Sequence, residues 1–99
     1  MKILQKGFTK DGFSIQLEDW SEDFTTYKYK FDIGAYPKGN WNKRFRAQCE
    51  FEDKAEAVKA FEELLNGYVT VFDLAFTVMV SGGNRIPIKD TRLKHIDES

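Results

Sequence analysis

The stretch Phe45-Arg46-Ala47-Gln48-Cys49-Glu50-Phe51-Glu52-Asp53-Lys54-Ala55-Glu56-Ala57-Val58-Lys59-Ala60-Phe61-Glu62-Glu63-Leu64-Leu65-Asn66 decides the fold, because its hydrophobic period changes in the middle. Up to Phe51 the apolar residues alternate, with Phe45, Ala47, Cys49 and Phe51 on one side and Arg44, Arg46, Gln48 and Glu50 on the other. A period of two is the pattern of a half-buried strand. From Asp53 onward Ala57, Val58, Phe61, Leu64, Leu65 and Tyr68 recur at helical spacing, as one face of an amphipathic helix does. Asp53-Lys54-Ala55-Glu56 has the form of a capping box, and Asn66-Gly67 is a C-terminal stop. A strand that runs directly into a helix of about residues 54–66 makes this an α+β chain.

Upstream, the alternation repeats. Phe13, Ile15 and Leu17 share one parity while Ser14, Gln16 and Glu18 take the other. Lys10-Asp11-Gly12 supplies a turn before them, so residues 2–8 and 13–20 read as a β-hairpin. Residues 26–36 continue the pattern, with Tyr27, Tyr29, Phe31, Ile33 and Ala35 inward and Lys28, Lys30, Asp32, Gly34 and Tyr36 outward, until Pro37, Gly39 and Asn40 break the strand. After Gly67, Thr70–Asp73 reads either as a helical turn capped by Thr70 or as strand. Phe76, Val78 and Val80 suggest a strand, Ser81-Gly82-Gly83-Asn84 a turn, and Arg85–Ile88 a return in which Pro87 belongs at a sheet edge. The expectation is an antiparallel sheet of four to five strands with one helix on its apolar face. The order is ββββα, then a short C-terminal strand or hairpin. Residues 1–88 form the single domain and 89–99 a polar, fraying tail.

Composition narrows the function classes. The 99 residues are 41% hydrophobic and 31% charged, as in a folded globular chain rather than a disordered one. The formal net charge of -1 provides no average attraction to nucleic acid or anionic membrane. Cys49 is the one cysteine, which excludes an internal disulfide and suits a small buried hydrophobe in a reducing cytoplasm. Met1–Lys6 meets charge before any apolar run develops, and Leu74–Val80, the longest apolar stretch, is far too short to span a bilayer. A cytoplasmic location and no membrane partner are expected.

Chemical motifs are sparse. Asp19, Ser21 and Asp23 have the spacing of the first three ligands of a calcium loop, but Phe24 stands where a glycine is required and Lys30 where the closing glutamate belongs. Cys49 and His95 alone cannot make a tetrahedral zinc site. His95 falls in the tail, away from the rigid placement a catalytic base needs. No cofactor, metal or catalytic residue is expected, and a deep pocket with a perturbed carboxylate pair would be needed to reopen an enzymatic reading.

What stands out is aromatic surplus. Trp20 lies within Glu18-Asp19-Trp20-Ser21-Glu22-Asp23, and Trp41 within Lys38-Gly39-Asn40-Trp41-Asn42-Lys43-Arg44. Large aromatics framed by charge are the residue type that anchors interfaces. Trp20 shares the outward parity of Gln16 and Glu18, although a bulge or a place over the edge of the core would hide it. The leading expectation is a non-enzymatic module engaging a protein partner, or itself, through the loop-borne aromatics Trp20, Phe24, Tyr36 and Trp41. The alternative is single-stranded nucleic acid on the outward sheet face, with Lys28, Lys30, Arg44 and Arg46 at phosphates and Trp41 stacking. Gln16, Glu18, Asp32 and Glu50 share that face and oppose it.

Ile15-Gln16-Leu17-Glu18-Asp19-Trp20-Ser21, Ala35-Tyr36-Pro37 and the helix with Ala57, Phe61, Leu64 and Gly67 together resemble small proteins of Gram-positive phages and conjugative elements. The resemblance spans residues 13–67. It implies an accessory product of a mobile element in a bacterial cytoplasm and carries no functional residue.

Overall fold

The computed structural model describes residues 1–23, 26–37 and 46–91. Among these residues, six strands form one antiparallel meander in chain order: β1 (Lys2–Phe8), β2 (Phe13–Asp19), β3 (Phe31–Pro37), β4 (Ala47–Phe51), β5 (Thr77–Met79) and β6 (Arg85–Pro87). One helix, α1 (Lys54–Asn66), enters between β4 and β5 and packs on one face of the sheet. The α+β architecture matches the sequence expectation. After α1 the chain forms the hairpin, one of the two expected alternatives, and both of its short strands join the sheet, making six strands where four to five were expected.

α1 forms where its sequence signals lie. The Asp53 carboxylate accepts a hydrogen bond from the Ala55 amide at 3.3 Å, satisfying one of the unpaired donors of a helix start. Gly67 ends the helix at φ 75°, and its N–H turns back to the carbonyls of Glu63 and Leu64, a left-handed stop that glycine adopts without steric penalty. Ala57, Phe61 and Leu64 are fully buried against Phe13, Ile15 and Leu17 of β2, Ile33 and Ala35 of β3, and Ala47 and Cys49 of β4. The Cys49 thiol is pushed up to about 11, first by burial and then by the nearby Asp32 charge, so it behaves as core rather than nucleophile.

Residues 68–76, open in the sequence, form a turn. The Thr70 amide and hydroxyl both donate to the Asp73 carboxylate, and Val71 and Phe76 close the core at 0% and 1% exposure. Thr70 is therefore the cap of a turn, not a strand residue. β5 and β6 pair through the glycine-bearing turn at 81–84, and Pro87 does lie on an edge strand. A short 3₁₀ turn, Ile88–Asp90, follows β6 and buries Ile88 at 1% exposure.

The third strand is shorter than its alternation suggested. Asp19 pairs with Phe31 and Phe31 with Phe51, so both neighbours of β3 run out at the same level. Beyond the bond from the Trp20 amide to the Lys30 carbonyl, residues 26–29 continue no strand. β2 instead ends in a turn in which the Asp19 carboxylate accepts from the Ser21 amide at 2.8 Å and the Trp20 carbonyl accepts from the Asp23 amide. Tyr27 and Tyr29, expected in the core, are therefore 46% and 37% exposed.

The molecule measures 21 Å along its shortest axis, the thickness of one sheet and one helix of about 10 Å diameter. The face of the sheet opposite α1 carries no second layer among the described residues. It is nonetheless not the solvated charged surface that its composition suggested: Ser14, Gln16 and Glu18 on β2 are 0%, 7% and 0% exposed.

Candidate functional site: a polar pocket on the open face of the sheet

Alternation along β2, β3 and β4 sends Gln16 and Glu18, Asp32 and Tyr36, and Gln48 and Glu50 to the face away from α1. The register aligns Glu18, Asp32 and Glu50 in one row across the three strands. A carboxylate row is unfavourable unless compensated, since like charges on adjacent strands destabilise each other. Arg46, immediately before β4, compensates the first member. Its guanidinium makes a two-pronged contact with Glu18, Nη1 to Oε2 at 2.6 Å and Nη2 to Oε1 at 2.7 Å. The planar fork matches a carboxylate in this geometry. Gln16 Nε2 donates to Oε2 at 2.6 Å and Trp20 Nε1 to Oε1 at 2.9 Å, so four donors converge on one buried carboxylate.

Burial by itself would raise the Glu18 carboxyl. The hydrogen bonds from Arg46 and Gln16, the Arg46 charge and the Trp20 indole outweigh it, and the group ends below the ordinary glutamate value. Arg46 Nη1 also donates to the Tyr36 hydroxyl at 3.1 Å, and the guanidinium lies 5.9 Å from the Tyr36 ring centroid. Gly34 makes the arrangement possible. A Cβ there would overlap Arg46 Nη1 and fall 2.9 Å from Glu18 Oε2, so the ion pair lies across bare backbone in the middle of β3.

At the other end of the row, Glu50 accepts from the Tyr27 hydroxyl at 2.7 Å and from Gln48 Nε2 at 3.2 Å, and it pairs with Arg85 of β6. Asp32, in the middle, is treated differently. Its nearest cation among the described residues is Arg46 Nη2 at 3.7 Å, beyond hydrogen-bond distance. Its side chain is 13% exposed. Burial first, then the charges of Glu50 and Glu18, push its carboxyl up to about 7.

Over this row opens a pocket of about 630 Å³, walled by Trp20, Tyr27, Tyr29 and Tyr36 and floored by the three carboxylates and two arginines, with Gln16, Gln48 and Met1 completing it. Its volume lies in the range of small-ligand and side-chain pockets, about 300–1,000 Å³.

Two of the four aromatics named from sequence converge here. Trp20 is half-buried with its indole N–H fixed on Glu18; it is an inward-leaning wall, not a ring held out in water, because the Glu18 carboxylate draws it back over β2. Tyr36 belongs to β3 rather than to a loop and is 7% exposed, held down by Arg46. Phe24, Trp41 and Arg44 lie outside the described residues, as does His95. Of the cations named for phosphate contact, Arg46 is spent on Glu18, and Lys28 pairs with Glu52 at 2.9 Å. Lys30, half-buried, accepts the Trp20 amide with its backbone carbonyl.

Sequence reading missed Tyr27, Tyr29, Gly34, Asp32 and Arg85 as members of the site. Only Gly34 carried a usable local signal, because glycine inside a strand marks a close approach.

Among the described residues no group of three or more His, Cys, Asp or Glu is arranged to hold a metal ion, and no helix is long and apolar enough to cross a membrane. Comparison with protein-family models, with curated proteins and with solved structures finds no match to this chain.

Proposed function

We propose that the protein is a non-enzymatic binding module that engages a protein partner with the pocketed open face of its sheet. Trp20, Tyr27, Tyr29 and Tyr36 serve as walls against which a partner side chain packs. The observation that carries this reading is the pocket itself: four aromatic side chains set around a polar floor whose rotamers are locked by the Glu18–Arg46 contact. Aromatic side chains grouped around a depression are the usual anchors of a binding interface. Locked floor groups reduce the ordering cost of association.

A perturbed carboxylate in a pocket raises the question of acid–base catalysis, and Asp32 is the group that would perform it. The described lining offers it no Ser, Thr, Cys, His or Lys to act with, and both arginines are held by Glu18 and Glu50. Single-stranded nucleic acid on this face would meet three carboxylates before any uncommitted cation among the described residues, which disfavours phosphate binding. The setting we propose, an accessory product of a mobile element acting in the cytoplasm, is supported by the strings at 15–21 and 35–37 and the helix they precede.

The test is selection from a random peptide display library on the wild-type chain, with counter-selection on a Tyr27→Ala/Tyr29→Ala variant. Expected are peptides enriched on the wild type whose binding perturbs the NMR signals of the Trp20 indole and the Tyr36 ring. Failure to enrich any peptide, or enrichment of peptides that perturb only other surfaces, overturns the proposal.

A further inference from the structure

The pocket has an unbalanced floor. Its described lining contains three carboxylates, Glu18, Asp32 and Glu50, against two guanidiniums, Arg46 and Arg85, and the Met1 ammonium, which is paired at 2.5 Å with Asp23 outside that lining. The two guanidiniums are committed by geometry: Arg46 to both oxygens of Glu18, and Arg85 to Glu50. Asp32 is left over. It accepts no hydrogen bond among the described residues, and it sits at the centre of the row with its carboxylate at the pocket floor.

The walls complement the same charge. Tyrosine and tryptophan rings attract cations through their negative faces, and the chain already uses two rings of this pocket in that way. Arg46 lies 5.9 Å from the centroid of Tyr36, and Lys28 5.6 Å from that of Tyr29. A depression with one carboxylate in excess at its base and aromatic rings on its sides is complementary to an organic cation with an apolar stem. The basic side chains of proteins have this form: the stem packs on rings while the head group meets the carboxylate.

We infer that the pocket receives a lysine or arginine side chain of the partner, its cationic head paired with Asp32 and its stem held between Trp20, Tyr27 and Tyr29. The inference rests on the binding-module reading and specifies what that module recognises. A carboxylate whose ionisation is opposed in the free protein gains most from an arriving cation, since the cation relieves the repulsion from Glu18 and Glu50. Affinity therefore rises with pH as Asp32 ionises. Among the described residues, the charged and titratable groups around Asp32 are Glu18 on β2, Glu50, Cys49 and Arg46 on and beside β4, Arg85 on β6, the Tyr27 hydroxyl on the segment before β3, and the Met1 ammonium in the same pocket lining. The Asp32→Asn variant, carried through the same pH series as the wild type, separates the part that belongs to Asp32 from that of every other group.

The probes are N-acetyl-arginine methylamide, N-acetyl-lysine methylamide and the neutral N-acetyl-citrulline methylamide, titrated into the ¹⁵N-labelled full chain. The signals followed are the Trp20 indole N–H and the amides of Asp32 and Glu50. The cationic probes are expected to shift these signals in the millimolar range, and citrulline to bind about tenfold more weakly or not at all, the discrimination of about one desolvated cation contact. Asp32→Asn should weaken the cationic probes by about the same factor, and raising the pH from 5.5 to 8.5 should strengthen them on the wild type, a measurement that needs no variant to fold. Citrulline binding as well as arginine, or cation affinity indifferent to both Asp32→Asn and pH, overturns the inference. Peptides selected on the pocket that carry no basic residue would refute the cation inference while sustaining the binding reading. Failure of peptide selection would instead remove the reading on which it rests.

Discussion

Glu18 shows how far a single outward-facing residue can depart from its apparent role. It is 0% exposed, and a lone buried carboxylate would neutralise itself by a raised pKa. Four donors reverse that outcome. Removing one member of a buried pair strands the other, at a cost of about 3–5 kcal/mol, whereas replacing both with apolar residues of similar volume is often neutral. Arg46→Met should therefore lower urea-unfolding stability by about 3 kcal/mol, and Glu18→Leu/Arg46→Met should recover most of the loss. A single variant that costs less than about 1 kcal/mol would mean the pair is screened like a surface one. Gly34 belongs to the same unit. Gly34→Ala should cost about 1–3 kcal/mol through overpacking, and the cost should shrink in an Arg46→Ala background, since the atom struck first by the new methyl is gone. Equal penalties in the two backgrounds would show that Gly34 answers to something other than the guanidinium.

At the scale of elements, legibility followed whether a signal was local. α1 could be read to its end residues because its period, its Asp53 cap and its Gly67 stop all lie within the segment. β2 and β4 could be read because each carries a clean alternation. β3 was overextended because alternation says only that a chain could be pleated; whether it pairs depends on where its neighbours stop, here Asp19 and Phe51. The same limit hid most of the site. Parity placed Gln16, Glu18, Asp32, Tyr36, Arg46, Gln48 and Glu50 on the outer face, as the structure has them. Parity is silent on whether an outer face is wet. That depended on Tyr27 and Tyr29 leaving the ladder and on Trp20 folding back over Glu18, both of which are tertiary events. Trp20 was singled out from sequence for its exposure and belongs to the site for the opposite reason: it closes a wall.

For the molecule as a whole, the carboxylate row makes folding respond to pH in two opposed ways. Glu18 has its folded value held below the ordinary glutamate value of 4.5, so the stability it contributes is present above that pH and is lost as pH falls through the folded value. Asp32 is raised from 3.8 to about 7. Its contribution is therefore fully present below 3.8 and is lost as pH rises through about 7. The two windows barely overlap, which makes them separable. Between the two Asp32 values the wild type should lose stability with rising pH. The loss is bounded at about 4 kcal/mol, since each pH unit separating the two values is worth about 1.36 kcal/mol, and falls to about 1–3 kcal/mol once residual solvent access is allowed for. Asp32→Asn keeps the shape of the side chain and removes the titration. It should flatten the profile over this window and leave the variant more stable than the wild type at pH 8, while the acid limb set by Glu18 stays in place. Urea midpoints at intervals from pH 3 to 8.5 for the two chains measure both effects. A wild-type profile already flat from pH 4 to 8 would mean that the charge of Asp32 is compensated in the free protein. The pocket floor would then have no surplus charge to present to a partner, so the stability curve and the cation-binding experiment bear on the same carboxylate by independent routes.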